Sequence, residues 1–131
     1  MAMQAVNPPA LRPPFARYSH AVLTGPVSRL LVVSGQLGVA PDDTVPDGAE
    51  AQAALCLANI DRILAEVGMG RGHVLRLNAY VTDRAHMAGY MSARDAWAAG
   101  LTPVPASTLM IVSGFTRPEF VVEIEALAAE A

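Results

Sequence analysis

Glu123 and Glu125 stand two residues apart in the run Val122-Glu123-Ile124-Glu125-Ala126 near the end of the chain. Alternation of this kind puts both carboxylates on one face of a strand and the aliphatic side chains on the other. Under a cover, a carboxylate on that face can orient or deprotonate a water. Without one, the pair is a solvated sheet face. Periodicity leaves both readings standing. A second polar face runs through Val74–Thr82, where Arg76, Asn78, Tyr80 and Thr82 alternate with Leu75, Leu77, Ala79 and Val81. That face is either exterior or a subunit contact, a setting in which tyrosine is enriched.

Other chemistries are excluded by residue type. All nine basic residues are arginine, so a Schiff-base or P-loop lysine is impossible. His20, His73 and His86 lack the i, i+4 spacing of a helical metal site, and one cysteine cannot build a zinc site. No metal and no cofactor is expected. Cys56 falls on an apolar helical stripe and reads as a small core residue, with no partner for a disulfide. Gly68-Met69-Gly70-Arg71-Gly72 follows a helical pattern and precedes a strand, the reverse of a phosphate-cradling loop, so it is a connector. A net charge of -3 with singly scattered arginines gives no track for a phosphate backbone, so no nucleic-acid partner is expected. No run of apolar residues is long enough to span a membrane, and Met1 to Pro14 lacks the apolar core of a signal peptide. A cytoplasmic location is expected, with no membrane partner.

The elements that must position these residues follow from pattern. A length of 131 residues fits one domain, residues 1–131, with residues 1–14 as an extended Pro-rich lead-in. Tyr18–Thr24 and Arg29–Ser34 read as strands, the second apolar enough to be central and buried on both faces. Ala49–Val67 is helical, with Ala53, Cys56, Leu57, Ile60, Ile63, Leu64 and Val67 on one stripe, Asp47 as its N-cap and Gly68 beyond its end. Then come the strand Val74–Thr82, a helix from about His86 to Ala99, and the strands Ser107–Ser113 and Phe120–Ala128. Two helices beside one mixed sheet make an α+β layer fold. With 53% of residues hydrophobic and 16% charged, polar side chains are too few to cover every face, which favours self-association.

Several segments, in order, resemble the RidA (YjgF-type) family of small enamine and imine deaminases. They are Tyr18-Ser19-His20-Ala21-Val22, Leu31-Val32-Val33-Ser34-Gly35-Gln36, Ala58-Asn59-Ile60, Val74 to Asp83, Pro105-Ala106-Ser107-Thr108 and Val122-Glu123-Ile124-Glu125-Ala126. The resemblance implies a chorismate-mutase-like α+β fold assembled as a homotrimer, with a small-molecule ligand held in clefts between subunits. It implies that Glu123 orients the hydrolytic water, that Tyr18 closes over the ligand, and that the backbone at Ser34 and Gly35 lines the cleft. Ser107 and Thr108 belong to the segment that touches the substrate.

The departures from the family pattern matter as much. The arginine that clamps the substrate carboxylate should stand between Pro105 and Ser107, where this chain has Ala106. A helix-2 asparagine of the cleft is replaced by Met91. Losing a planar guanidinium fork removes both charge and geometry for a carboxylate. Arg17, just before Tyr18, and Arg117, before the last strand, are two candidates to replace it. Three functions stay open: an imine or enamine hydrolase outside the usual 2-iminopropanoate specificity, a non-catalytic metabolite-binding or regulatory trimer, and, against the charge argument, an endoribonuclease or translation inhibitor.

Overall fold

The computed structural model describes residues 3–131. Helix α1 spans Ala49–Glu66, and its buried residues Ala49, Gln52, Ala53, Cys56, Leu57, Ile60 and Leu64 recur at three- and four-residue spacing. Its N-cap is Gly48, at φ 91° and without a side-chain cap, and not Asp47 as the sequence suggested. The helix starts one residue later than Asp47 could cap, from a backbone conformation that glycine adopts at no steric cost. Its other end is a full Schellman motif. The Gly68 amide donates to Ala65 O (3.1 Å), the Met69 amide to Leu64 O (2.9 Å), and Met69 is itself buried.

The remaining elements are β1 (Met3–Val6), β2 (Ala21–Thr24), β3 (Arg29–Leu37), β4 (Val74–Val81), α2 (Met87–Trp97), β5 (Ala106–Ile111) and β6 (Val122–Glu130). The main sheet runs β3-β6-β4-β5, with β4 and β5 parallel and the other two pairings antiparallel. Strand β1 pairs with β2 in a separate two-stranded sheet. The lead-in thus begins with a strand; its first two residues lie outside the described ones, and 7–14 holds no helix or strand. Both helices lie on one face of the main sheet, over Val33, Leu77, Ala79, Val81, Val122, Ile124, Ala126 and Ala128.

Two expectations are corrected here. Strand β3 is at the sheet edge and not in its centre, and its outer face leaves Leu30 and Val32 at 59% and 73% exposure. A run apolar on both faces carries no alternation from which its place in the sheet can be read. On β4, Val74 is buried where alternation put Leu75. The register shifts between Val74 and Arg76, which pair with the successive β6 residues Ala128 and Leu127, so Leu75 is the extra residue of a bulge.

Gln52 is the polar residue that fastens α1 to the approach of β6. Its Nε2 donates to Pro46 O (3.0 Å) and Glu119 O (2.9 Å), and its Oε1 accepts from the Val121 amide (2.9 Å). Gln52→Leu leaves those backbone groups without partners. The expected cost in urea denaturation is about 1–3 kcal/mol per group that stays buried. A change within error would show that these bonds are replaced by water.

Candidate active site

The face of the sheet away from the helices carries the chemistry, because each ladder pair points to a common side. Three rows cross it. The first holds Leu37, Glu123, Tyr80 and Met110; the second the Ser34–Gly35 bulge, Glu125, Asn78 and Thr108; the third Val32, Leu127, Arg76 and Ala106. Ser34 and Gly35 together oppose the single residue Glu125, since the register of β3 shifts between Val33 and Gln36.

The two carboxylates are held differently. Oε1 of Glu125 accepts from the Tyr80 hydroxyl (2.8 Å) and from Asn78 Nδ2 (3.1 Å). That bond, above all, raises the Tyr80 pKa and keeps the phenol protonated. Glu123 has no hydrogen-bond partner among the described residues and lies directly over Gly35. A Cβ built at position 35 would come within 2.7 Å of Glu123 Cδ and 2.8 Å of Oε2. Burial, and secondarily the charge of Glu125, push the Glu123 pKa above the ordinary glutamate value. Both carboxylates border a cleft of about 380 Å³ with Gly35, Tyr80, Val112, Gly114 and Phe115. A larger hollow of about 480 Å³, between Met3, His73, Pro103, Glu130 and Ala131, contains none of the candidate site residues that the resemblance implies.

The sequence-derived site residues do not all meet in one chain. Glu123 and Gly35 line the cleft, with Ser34 in the adjoining bulge. Ala106 and Thr108 share the open face, but on β5, the opposite edge strand. Tyr18 lies beside the start of β5. Its neighbour Ser19 bridges to Ala106, and the Ser19 amide donates to Pro105 O (3.1 Å). The Tyr18 hydroxyl accepts from the Phe15 amide (3.2 Å), outside the Glu123 cleft. Ser107 pairs with Leu77 and so faces the helices, near the buried Tyr90 hydroxyl. Met91 is on α2, packed against the core on the helix side.

Of the two candidate replacement arginines, Arg117 is committed to Asp43 (3.1 Å) and Glu119 (2.6 Å) and stacks over Phe120. Arg17 is exposed and makes no ion pair among the described residues. Sequence reasoning missed Val112, Gly114 and Phe115 as cleft residues, since the loop after β5 carries no chemical signature. Cys56 is inert: burial pushes its thiol up to about 12.

A mixed four-stranded sheet, helices on one face and paired glutamates on the other define a YjgF-type α+β protein. The family model described as Endoribonuclease L-PSP matches residues 9–130, and the chain belongs to that RidA/YjgF family. A Yersinia pestis structure, titled as the Rid-family protein YyfB of unknown function, superposes with a TM-score of 0.87 at 29% identity, covering 99% of this chain and 100% of that one. Protein HMF1 of Saccharomyces cerevisiae is 32% identical over 116 residues, 88% of this chain and 85% of its own length. A RutC family protein of Aquifex aeolicus is 32% identical over 82 residues, 62% of this chain; the match spans only 63% of that relative.

The raised Glu123 pKa has a consequence for stability. A carboxyl whose folded pKa lies above its unfolded value of about 4.5 stabilises the fold fully only below that value, and the contribution is lost as pH rises through the folded pKa. Glu123→Gln is therefore expected to melt higher than wild type at pH 7, with the difference vanishing below about pH 4. Thermal melts across pH check this. A difference independent of pH would show that Glu123 is not desolvated.

Proposed function

We propose that this protein is a RidA-type hydrolase of a reactive imine or enamine, working in clefts between the copies of a cytoplasmic homotrimer. The observation that carries the reading is the division of labour between the two carboxylates. Glu125 is fixed by Asn78 and Tyr80, whereas Glu123 has no partner among the described residues, is partly desolvated and is set at the cleft over Gly35. A carboxylate that accepts two donors is held in place, whereas one without a donor is free to take up a proton. A glutamate with raised proton affinity accepts a proton from water more readily.

In the reaction, the water oxygen adds to the C=N carbon while Glu123 takes one of its protons. Glu123 then returns that proton to the nitrogen. The second water proton follows as the C–N bond breaks, leaving a carbonyl compound and ammonia. Backbone amides at Ser34 and Gly35 are suited to hold charge that develops on the oxygen. No cofactor enters.

The placing of the site residues on the sheet supports the same reading. Tyr18 and Ala106 sit at one edge of the sheet and Gly35 at the other, so a neighbouring copy would bring the two groups together. Leu30, Val32 and Met110 are exposed on strands bordering the open face. A second reading, a metabolite-binding trimer without turnover, is favoured by Ala106, which adds no polar group to the open face. RNA cleavage, the activity in the family model's description, is disfavoured by the two carboxylates on the open face and the net charge of -3.

The test supplies imines made in place by an amine or amino-acid oxidase and follows ammonia release. Wild type is expected to exceed the uncatalysed rate, and Glu123→Ala to lose about 10²- to 10⁴-fold of that advantage. Gly35→Ala displaces the flexible end of Glu123 and not the backbone, so it should fold normally yet lose on the order of 100-fold. If wild type and Glu123→Ala both match the enzyme-free rate on every imine, the hydrolase reading is wrong. Native mass spectrometry should give three times the 13.7 kDa chain mass. Val32→Asp, charging an apolar side chain at 73% exposure, should give a monomer. A wild-type monomer would remove the shared cleft.

A further inference from the structure

The nitrogen of an imine needs its own place beside Glu123, and β4 supplies one. Glu123 stands on β6, between β3 and β4 in the sheet. Toward β3 its carboxylate lies over Gly35, which has no side chain. Toward β4 its direct ladder partner is Tyr80, on the same side of the sheet. Side chains so opposed have Cβ atoms about 4.5–5.5 Å apart, and these two border one cleft. A base that takes a proton from water and returns it to nitrogen must reach two atoms bound to the same carbon. With the oxygen over the Gly35 backbone, the nitrogen falls on the Tyr80 side.

Tyr80 differs from an ordinary phenol in having its proton committed. The hydroxyl donates to Glu125 Oε1 at 2.8 Å, an oxygen that also accepts from Asn78 Nδ2 at 3.1 Å. A hydroxyl has one proton and two lone pairs, so the Tyr80 oxygen is left as an acceptor. Donation to a carboxylate polarises it and makes it a better one. The rest of the cleft is lined by Gly35, Val112, Gly114, Phe115 and the two glutamates. None of these side chains carries a donor when the glutamates are ionised. Among the described residues, the side chains of the cleft therefore offer acceptors only. A neutral imine nitrogen brings a lone pair that would find no partner among them. A protonated one brings only N–H donors and a positive charge.

We propose that Tyr80 is a specificity-determining residue of this cleft: its hydroxyl oxygen, oriented by Glu125, accepts from an N–H of the substrate, which is bound as the iminium cation. This rests on the hydrolase reading for the fate of the ligand, but not for its binding. The water oxygen adds to the iminium carbon as Glu123 takes one of its protons, giving a neutral carbinolamine. Glu123 returns that proton to the nitrogen. The C–N bond then breaks with its electron pair on nitrogen, and the hydroxyl proton passes to the departing ammonia. One positive charge enters on the iminium and leaves on ammonium. Tyr80 gives up no proton in this sequence; it holds the nitrogen beside the carboxylate.

The experiment is calorimetric titration of the full chain with sec-butylammonium chloride, whose saturated C–N bond cannot be hydrolysed, and with 2-butanol, its neutral counterpart. Wild type should bind the ammonium roughly tenfold or more tightly than the alcohol. Tyr80→Phe keeps the ring and removes the hydroxyl, and should weaken ammonium binding roughly tenfold, with thermal melts confirming the fold. The same variant frees Glu125 Oε1 from the phenol. If the carboxylate charges alone held the cation, Tyr80→Phe would bind it as tightly as wild type or more tightly, and that result overturns the proposal. So does equal affinity of wild type for the two probes, or binding of neither. Because nothing is turned over, a failure of catalysis in the ammonia assay leaves this result readable by itself.

Discussion

Two extra residues in the ladder decide which side chains the open face displays. At Ser34–Gly35 on β3 and at Leu75 on β4, one strand carries one residue more than its partner. Since side chains alternate strictly, a single insertion exchanges the faces of everything beyond it. The β3 bulge brings backbone without a side chain under Glu123. The β4 bulge turns Arg76 outward while Val74 stays in the core. Remove either and the hydrophobic pattern of the strand falls out of register with the helices, so the site and the core are bound to the same pairing.

The carboxylate pair depends on what surrounds it more than on its own spacing. Glu123 and Glu125 are chemically identical and belong to one strand, yet among the described residues one accepts two hydrogen bonds and the other none. The difference comes from β3 and β4, which supply a bare backbone on one side and Asn78 and Tyr80 on the other. Gln52 fixes the entry of β6 by holding Glu119 and Val121, a few residues before Glu123. The helix layer therefore sets the position of a group on the opposite side of the sheet.

Much of this was legible in the sequence. The helical stripe of α1, the alternation of β6 and the burial of Cys56 follow from local periodicity, which a single segment carries by itself. The placing of β3 does not, because an apolar run is compatible with a centre or an edge and only its partners decide. The bulges are equally hidden, for a bulge is a relation between two strands. Hence alternation alone assigns Leu75 to the core, whereas the strand pairing puts Val74 there. Segment resemblance puts Met91 and Ser107 at the cleft, but helix packing and strand parity turn them toward the helix layer of their own chain.

The use of arginine for every basic side chain has a meaning beyond salt bridges and scattered charge. A guanidinium stays protonated and does not condense with carbonyl compounds as a free amine does. The single thiol is shut in the core with its proton firmly held. An aldehyde or keto acid at the surface meets no side-chain amine and no exposed thiol with which to form an adduct. Such compounds find no lysine on this chain to modify.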